Sequence, residues 1–350
     1  MDDEDRNRGS TGERADAKEM RDQAGFTLTE VLIASAIFLT AAIPFLYLAS
    51  GAQRLARSQS EAVDLYQRAR VAADKLRQDL TIAGAGAPQA RTMAALVNYV
   101  PPIAPLRTGL RSPDAELTAF GDRISIIYVP GDGWQSSLGV DMPSPSAGLL
   151  LDFLPGCPTI GLCGFTEGAH AMIVDTSGPG RGYELFAVTA NVGQLLHDPP
   201  NRPFSRAYAA ADAAVVPVVQ RIYYFDRAAR RLMVYDGFQS DVPLVDNVVD
   251  LRFSYFADAI PGPGLQPLAL SEFTDGPFLG VSPYQFDADL LRMRLVRVTL
   301  RLQATADDVR GRGSLFARPG RSSSGYSYVP DFEITFDVAP RNLFATMEPP

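Results

Sequence analysis

Residues 26–53, FTLTEVLIASAIFLTAAIPFLYLASGAQ, decide the fold, and Glu30 is the only formally charged side chain among them. A helix of about 20 consecutive apolar residues spans the hydrocarbon core of a bilayer. The stretch therefore predicts a transmembrane helix. Its length and its acidic flank disfavour a cleaved secretory signal peptide, and a buried helix of a soluble domain is the less favoured alternative.

The residues before this stretch have the opposite character. Residues 1–25 are polar and densely charged, with more acidic than basic side chains. Such a segment cannot bury enough apolar area to fold alone. Bases lie on both sides of the span, Arg21 before it and Arg54 after it, so charge asymmetry orients the helix only weakly.

Glu30 distinguishes this helix from a plain anchor. A carboxylate in lipid is costly and marks a functional residue with a partner. Gly25 stands directly before Phe26, and its lack of a side chain lets a peptidase approach the bond between them. Cutting that bond creates an α-amino group on Phe26, about 6 Å from Glu30 along a helix rising 1.5 Å per residue. Between staggered chains the same two charges can pair and set the axial register.

The sequence GFTLTE at residues 25–30, followed by an apolar helix, resembles the cleavage and N-methylation motif of type IV prepilins and type II secretion pseudopilins. The resemblance implies that residues 1–25 are a leader, that a prepilin peptidase cuts between Gly25 and Phe26, and that the same enzyme methylates Phe26. It assigns Glu30 to subunit docking. The leader departs from the family pattern because it is long and acidic and carries Ala24 where a base is common.

A helical pattern continues beyond the apolar span. Apolar residues recur at intervals of three and four in residues 54–83, which predicts an amphipathic extension that packs on a globular head. Pro44 removes a helical hydrogen bond and predicts a kink or local break, and Gly84 predicts the end of the helix. A membrane stalk with a coiled-coil extension is the alternative. The predicted apolar stripe is Ala62, Leu65, Ala69, Ala72, Leu76 and Leu80.

Residues 84–350 have the pattern of a β-rich head. The sequences VRVTLRL at 296–302 and FEITFDV at 332–338 alternate between apolar and polar residues, which is typical of antiparallel strands with one buried face. Together with the helix they predict an α+β fold with one long helix against one or two antiparallel sheets and long loops. Further predicted strands are 123–129, 148–154, 170–175, 184–189, 218–225, 231–235 and 248–256.

The order of short motifs along the chain is similar to that of PilW-like minor pilins. These motifs are DLTIAG at 79–84, the tyrosine pair at 223–224, PLVDNV at 243–248 and PRNL at 340–343. The resemblance implies a pilin-like fold and a role in a type IV pilus. Minor pseudopilins of the J class share much of this plan, so the motifs leave both machines open.

The composition disfavours several classes of function. The chain has 350 residues, a formal net charge of −8 and a pI near 4.9, which argues against nucleic acid as the main partner. Two histidines and two cysteines leave little room for a metal centre. No G-x-S-x-G motif is present, and His170 and His197 are each expected to be structural or exposed. We therefore expect no enzymatic activity, metal or cofactor.

The two cysteines are close in sequence. Cys157 and Cys163 enclose a short loop, which in an exported head favours a disulfide. In the chain-entropy model, a disulfide that closes such a loop stabilises the folded state by roughly 2–3 kcal/mol. Two buried free thiols are the alternative.

Two charged clusters have a functional and a plain interpretation. Arg310, Arg312, Arg318 and Arg321 in a Ser/Gly loop suit DNA capture at a pilus tip, but a solvated flexible loop is favoured because the whole chain is acidic. Asp287 and Asp289 are spaced to ligate Ca²⁺ with loop carbonyls, although pairs of acids are common on surfaces and no metal is expected.

The sequence as a whole predicts a minor pilin of a type IV pilus, incorporated at low copy for priming or at the tip, and supporting assembly and adhesion or motility. Its partners are a prepilin peptidase, other pilins through the N-terminal helix, and the inner membrane. Before assembly it spans that membrane once with the head periplasmic, and afterwards it lies in the pilus at the cell surface. The alternatives are a J-class minor pseudopilin and a signal-anchored extracytoplasmic binding or enzymatic domain.

Overall fold

The computed structural model describes residues 25–86, 96–131, 134–152, 165–178, 180–191, 194–197, 203–259, 262–322 and 328–344. The chain divides into two compact units, Met1–Gln59 and Ser60–Pro350. Helix α1, Leu28–Ile82, runs through the boundary between them, and antiparallel strands follow it. The architecture is α+β with one long N-terminal helix, as the sequence predicts.

The first part of α1 is apolar on all sides. Its large side chains are exposed, with Phe38 73 % and Tyr47 74 % accessible. The Ser35 hydroxyl donates to the Val31 carbonyl at 2.6 Å and the Thr40 hydroxyl to the Ile37 carbonyl at 2.8 Å. Polar groups in such a helix are thus satisfied within the helix, which a lipid environment requires.

Pro44 lies inside α1, and the helix continues through it without interruption. The local break offered as one alternative for this position is therefore absent. The kink at Pro44 stays a prediction.

The part of α1 that belongs to the second unit is amphipathic. The predicted stripe lies on its buried face: Leu65, Ala69, Ala72, Leu76 and Leu80 are all at most 2 % exposed. They join the main hydrophobic core, which also takes side chains from all three larger sheets of the head. The sequence prediction that this segment packs on the head is confirmed for these residues.

The described part of the head contains sixteen strands, most of them short. They are β1 (Ile103–Ala104), β2 (Arg123–Tyr128), β3 (Ser136–Ser137), β4 (His170–Asp175), β5 (Tyr183–Asn191), β6 (Leu195–His197), β7 (Ala213–Pro217), β8 (Val219–Asp226), β9 (Arg231–Tyr235), β10 (Asp241–Asp246), β11 (Val248–Asp258), β12 (Leu265–Leu268), β13 (Phe278–Leu279), β14 (Phe286–Asp287), β15 (Met293–Leu302) and β16 (Phe332–Val338).

These strands form three larger antiparallel sheets and one two-stranded pair. The sheet orders are β1-β2-β8-β9-β10, β12-β11-β15-β16, β3-β7-β4-β5-β6 and β13-β14. The expectation of one or two sheets was therefore too low. The predicted strand at 148–154 is also wrong for its described residues, where Leu149 and Leu151 form only isolated bridges.

Strand β4 contributes side chains to both hydrophobic cores of the head. Met172 and Val174 on one face belong to the main core, whereas Ala171 and Ile173 on the other face belong to a second, smaller core. Both faces of this strand are buried, so the sheet around β4 separates two apolar layers. A strand in this position has no wet face, and its sequence need not alternate.

A buried polar contact holds α1 to the first sheet. Asp79 is 1 % exposed, accepts a hydrogen bond from the Tyr223 hydroxyl at 2.5 Å and pairs with Lys75 at 3.1 Å. Burial and the charge of Asp79 raise the pKa of Tyr223, so the phenol stays protonated and donates. The contact joins the end of the helix to the middle of β8.

The end of α1 is closed by a residue from the far end of the chain. The Asn342 amide donates to the carbonyls of Ile82 at 3.2 Å and Ala83 at 3.1 Å, two of the groups that a helix end leaves unpaired. Gly84 follows with φ +75°, and a Cβ there would lie 3.0 Å from Pro102. Glycine is thus required where the chain leaves the helix.

Replacing Tyr223 with phenylalanine tests the contact with Asp79. We expect the free energy of unfolding of the head to fall by about 1.5–3 kcal/mol, the usual contribution of a hydrogen bond to a charged group. Denaturant unfolding of the full-length protein, followed by tyrosine fluorescence and circular dichroism, measures the change. Tyr66→Phe is the control because Tyr66 is 56 % exposed, and a loss of stability as large in that variant contradicts the assignment.

Candidate processing and assembly site

The residues around the predicted cleavage bond form a defined start to the helix. The Glu30 carboxylate oxygen Oε2 accepts hydrogen bonds from the Thr27 amide at 2.9 Å and the Thr27 hydroxyl at 2.8 Å. The Glu30 amide donates to the Thr27 hydroxyl oxygen at 3.3 Å. This reciprocal pattern is a capping box, which satisfies amide groups that the first helical turn leaves unpaired.

The capping box fixes the position of the only acid in the apolar span. Both bonds to Thr27 use Oε2, and within residues 25–86 the second oxygen, Oε1, accepts none. A negative charge at a helix N-terminus is also favoured by the helix dipole. Glu30 is thus held at the start of α1, and within residues 25–86 its second carboxylate oxygen is left available to a cation.

The bond between Gly25 and Phe26 is accessible. Both residues precede the helix, and Phe26 is 86 % exposed. A Cβ built on Gly25 meets no atom within 4 Å. Nothing in the described chain therefore requires glycine at position 25, and a requirement for it would come from an enzyme that binds this segment.

The helix behind this site is long and apolar enough to cross a membrane. Its most apolar window has none of its residues buried by the described chain. Unburied apolar surface of this length is typical of a segment covered by lipid or by neighbouring helices. The site therefore lies at the start of a helix that has the length and apolar surface to span a membrane.

Replacing Thr27 with valine tests the capping box. We expect the Glu30 amide to exchange with solvent about fivefold faster, since a lost N-cap costs about 1 kcal/mol. Hydrogen exchange followed by NMR on the micelle-bound protein measures this. Thr27→Ser keeps the hydroxyl and should exchange as the wild type does; equal rates in all three proteins contradict the geometry.

Two parts of the sequence prediction lie outside the described residues. These are the leader up to residue 24 and the loop that contains Cys157 and Cys163. The disulfide between the two cysteines, the cleavage after Gly25 and the methylation of Phe26 all stay predictions.

The arginine-rich loop differs from the expectation of a flexible solvated segment. Arg310 is 7 % exposed and donates to the Gln303 side chain at 3.1 Å. Arg318 donates to the same oxygen at 2.6 Å and to Asn247 at 3.1 Å. These guanidinium groups anchor the loop to the head and are not presented to a nucleic acid. Of the four, Arg312 and Arg321 are exposed, and Arg321 pairs with Asp307.

The carboxylates of Asp287 and Asp289 form hydrogen bonds and an ion pair with other residues of the same chain. Asp287 is fully buried, and its two oxygens accept from the amides of Asp289 at 2.9 Å and Gly276 at 2.6 Å. Asp289 pairs with Arg292 at 2.8 Å. Asp275 lies close enough to complete a group of three acids, but the contacts of Asp287 are those of a structural residue.

The two histidines lie in aromatic surroundings. His197 is 8 % exposed, packs against the tilted Phe204 ring with ring centroids 4.3 Å apart, and contacts the Ala147 carbonyl at 3.0 Å. His170 packs edge-on against Phe238. His197 has the contacts of a structural residue, as the sequence predicts.

Some functional features were not predicted from the sequence. The Thr27 cap had a visible signal, because a threonine three residues before a glutamate at a helix start is the pattern of a capping box. No sequence pattern indicated the contacts of Asp79 with Tyr223 and of Asn342 with Ile82, because the two residues of each pair are far apart in the chain.

A model of a known protein-sequence motif matches the N-terminal part of the chain. Residues 20–46 match the model of the prokaryotic N-terminal methylation motif. No curated protein and no solved structure matches the chain. The matched residues contain the accessible bond, the capping box and the start of the apolar helix described above.

Proposed function

We propose that this chain, a type IV prepilin-like protein by its N-terminal methylation motif and its membrane-length helix, is a PilW-like minor pilin of a type IV pilus. A prepilin peptidase removes the leader after Gly25 and methylates Phe26. The inner membrane holds the protein through α1 until it enters the pilus at low copy, in a priming or tip position. There it supports assembly and adhesion or motility.

The observation that carries this proposal is the lone acid at the start of the apolar helix. Glu30 is fixed by Thr27 through Oε2, while Oε1 accepts no hydrogen bond within residues 25–86. In the proposed fibre, the ammonium group on Phe26 of a neighbouring subunit donates to this oxygen and forms an ion pair with Glu30. Packing of apolar helices supplies the contact area, and the ion pair sets the register between subunits.

The size of the head supports a low-copy position. The Ser60–Pro350 unit contains three larger sheets around two apolar cores. A head of this size crowds a helical lattice when it is repeated at every subunit. A priming or tip position has no such constraint.

The PilW-like assignment is supported by where its short motifs lie. Asp79 of the DLTIAG motif contacts Tyr223 of the tyrosine pair, and Asn342 of the PRNL motif caps the helix at Ile82. Three motifs that are far apart in sequence thus meet at the end of α1. Their common role is to attach the helix to the head.

Deletion of the gene, with complementation, tests the proposed role. We expect loss of surface pili, normal type II secretion, and restoration of pili by the wild-type gene. Electron microscopy counts the pili, and assays of secreted enzymes report on secretion. Normal piliation with secreted enzymes retained in the periplasm would instead identify a J-class pseudopilin. Normal piliation and normal secretion in the deletion strain, together with an uncleaved leader on the protein in the wild-type strain, would identify a signal-anchored domain.

A further inference from the structure

A cavity of about 560 Å³ lies in the Ser60–Pro350 unit, and none of its lining residues belongs to the processing and assembly site. The connection from β1 to β2, the strand β5 and the connection from β12 to β15 form most of its wall. Residues 203–205, residues 237–238 and single residues of β4 and β8 also contribute. Small-molecule sites typically have volumes of roughly 300–1,000 Å³ and mostly apolar walls. The cavity has the size of such a site.

Aromatic rings make up much of the apolar wall. They come from four separate parts of the chain, and the face of an aromatic ring attracts a cation. The aromatic residues used in this argument are Phe186, Phe204, Phe238, Tyr284 and Phe286.

Three carboxylates in the wall, those of Glu116, Glu184 and Asp287, have no cationic partner within the described part of the chain. Glu116 accepts a hydrogen bond from the Ser282 hydroxyl at 2.8 Å. Glu184 is 5 % exposed and accepts from the Ser205 hydroxyl at 2.8 Å and the Tyr208 hydroxyl at 3.0 Å. Hydroxyl and amide donors hold these carboxylates without neutralising them, so all three add negative charge to the wall.

Other charges in the wall are largely balanced. Arg107 pairs with Asp241 at 2.9 Å, and Asp114 pairs with Arg123 at 2.8 Å. Burial lowers the pKa of His170, so its imidazole adds no positive charge at neutral pH. The wall is therefore negative overall, and a cavity with low-dielectric walls concentrates that field.

Gln220 supplies a donor that the protein leaves unused. Its side chain lines the cavity, is 4 % exposed, and its Nε2 atom has no hydrogen-bond partner among the described residues. Gly237, at φ +84°, lies so close that a Cβ there would be 1.9 Å from Gln220 Oε1, which confines the amide. An unpaired buried donor is costly, and a ligand oxygen that accepts from it removes that cost.

We propose that this cavity binds a small organic cation, an ammonium group on an aromatic or other apolar body that also carries one acceptor oxygen. The ammonium group is attracted by Glu116, Glu184 and the ring faces, and the oxygen accepts from Gln220. Anions are excluded by the same carboxylates. The site is independent of the assembly role of α1 and stands whichever machine contains the protein.

Four matched probes test the proposal on the full-length protein in lipid nanodiscs, with empty nanodiscs as the blank. They are 2-amino-1-phenylethanol, phenethylamine, 1-phenylethanol and mandelate, and saturation-transfer NMR and calorimetry measure their binding. We expect the two cations to bind, with the hydroxyl-bearing cation about fivefold tighter for its one extra hydrogen bond. Weaker binding by the neutral alcohol and none by mandelate are expected. Mandelate binding as tightly as the cations, or no binding by any probe, overturns the proposal.

Two variants separate the charge from the donor. In Glu116→Gln the glutamine side chain still accepts a hydrogen bond from Ser282. We expect this variant to bind both cationic probes about two- to fivefold more weakly, which is the contribution of a partly exposed ion pair. Gln220→Met should erase the preference for the hydroxyl-bearing cation without lowering the thermal unfolding temperature, because it removes an unpaired buried amide. Unchanged affinities in both variants contradict the assigned contacts.

Discussion

Gly25→Val is expected to leave the precursor in the membrane with its leader still attached. A Cβ at position 25 meets no atom within 4 Å, and the residue precedes the helix, so the substitution leaves the fold of the described chain unchanged. Its effect falls on the enzyme that must bind this segment. Overpacking of a fitted pocket costs about 1–3 kcal/mol, which corresponds to roughly a 5- to 150-fold slower reaction.

The mass of the protein extracted from membranes measures this prediction. Gly51→Ala is the matched control, because Gly51 also has open space around its Cβ position but lies far along α1 from the cleavage bond. The control should be processed as the wild type is. A shortened mass in Gly25→Val at wild-type yield shows that cleavage occurs at another bond.

Replacing Glu30 with valine is expected to abolish incorporation into the fibre while leaving membrane insertion intact. Removing a carboxylate from an apolar span makes insertion more favourable. Cleavage after Gly25 should also persist, because the bond and its flanking residues are unchanged. What is lost is the partner for the Phe26 ammonium group of a neighbouring subunit.

Glu30→Gln separates the two contacts that Glu30 can make. Glutamine also completes a capping box with Thr27, but it carries no charge. We expect this variant to be processed and to fail in assembly as the valine variant does, and immunoblots of sheared pili against membranes measure the outcome. Wild-type incorporation of Glu30→Gln would show that capping matters and that the ion pair does not.

The predictable parts of the fold are those whose pattern is local. The stripe from Leu65 to Leu80 has helical spacing, and it is buried as predicted. Strand β15 from Val296 onward and strand β16 alternate between apolar and polar residues, and they pair from Leu302↔Phe332 to Val296↔Val338. In both cases one face of the element is buried and the other faces solvent, so apolar residues recur in the sequence with the period of the helix or strand.

The parts that were missed lack such a pattern. All five residues of β7, Ala213–Pro217, are buried, so no alternation marks the strand. Without β7 the sheet around β4 was not recognised, and the number of sheets was underestimated. Arg310 was assigned to a mobile loop because composition suggested exposure, whereas its partner Gln303 could be identified only once the fold was known.

The functional residues also divide into those that are close in sequence and those that only the fold brings together. Gly25, Phe26 and Glu30 lie within six consecutive residues, so their relation could be interpreted from the sequence alone. The cavity in the head combines Glu116, Glu184 and Gln220, which come from three distant segments. Only the topology of the sheets brings these side chains together.

The most direct test of the account is the N-terminus of the mature protein isolated from its native membranes or pili. Mass spectrometry of the N-terminal peptide identifies both the first residue and its modification. The account predicts a chain that begins with N-methylated phenylalanine at position 26. A chain that still begins at Met1, or that begins at any residue other than Phe26, contradicts it.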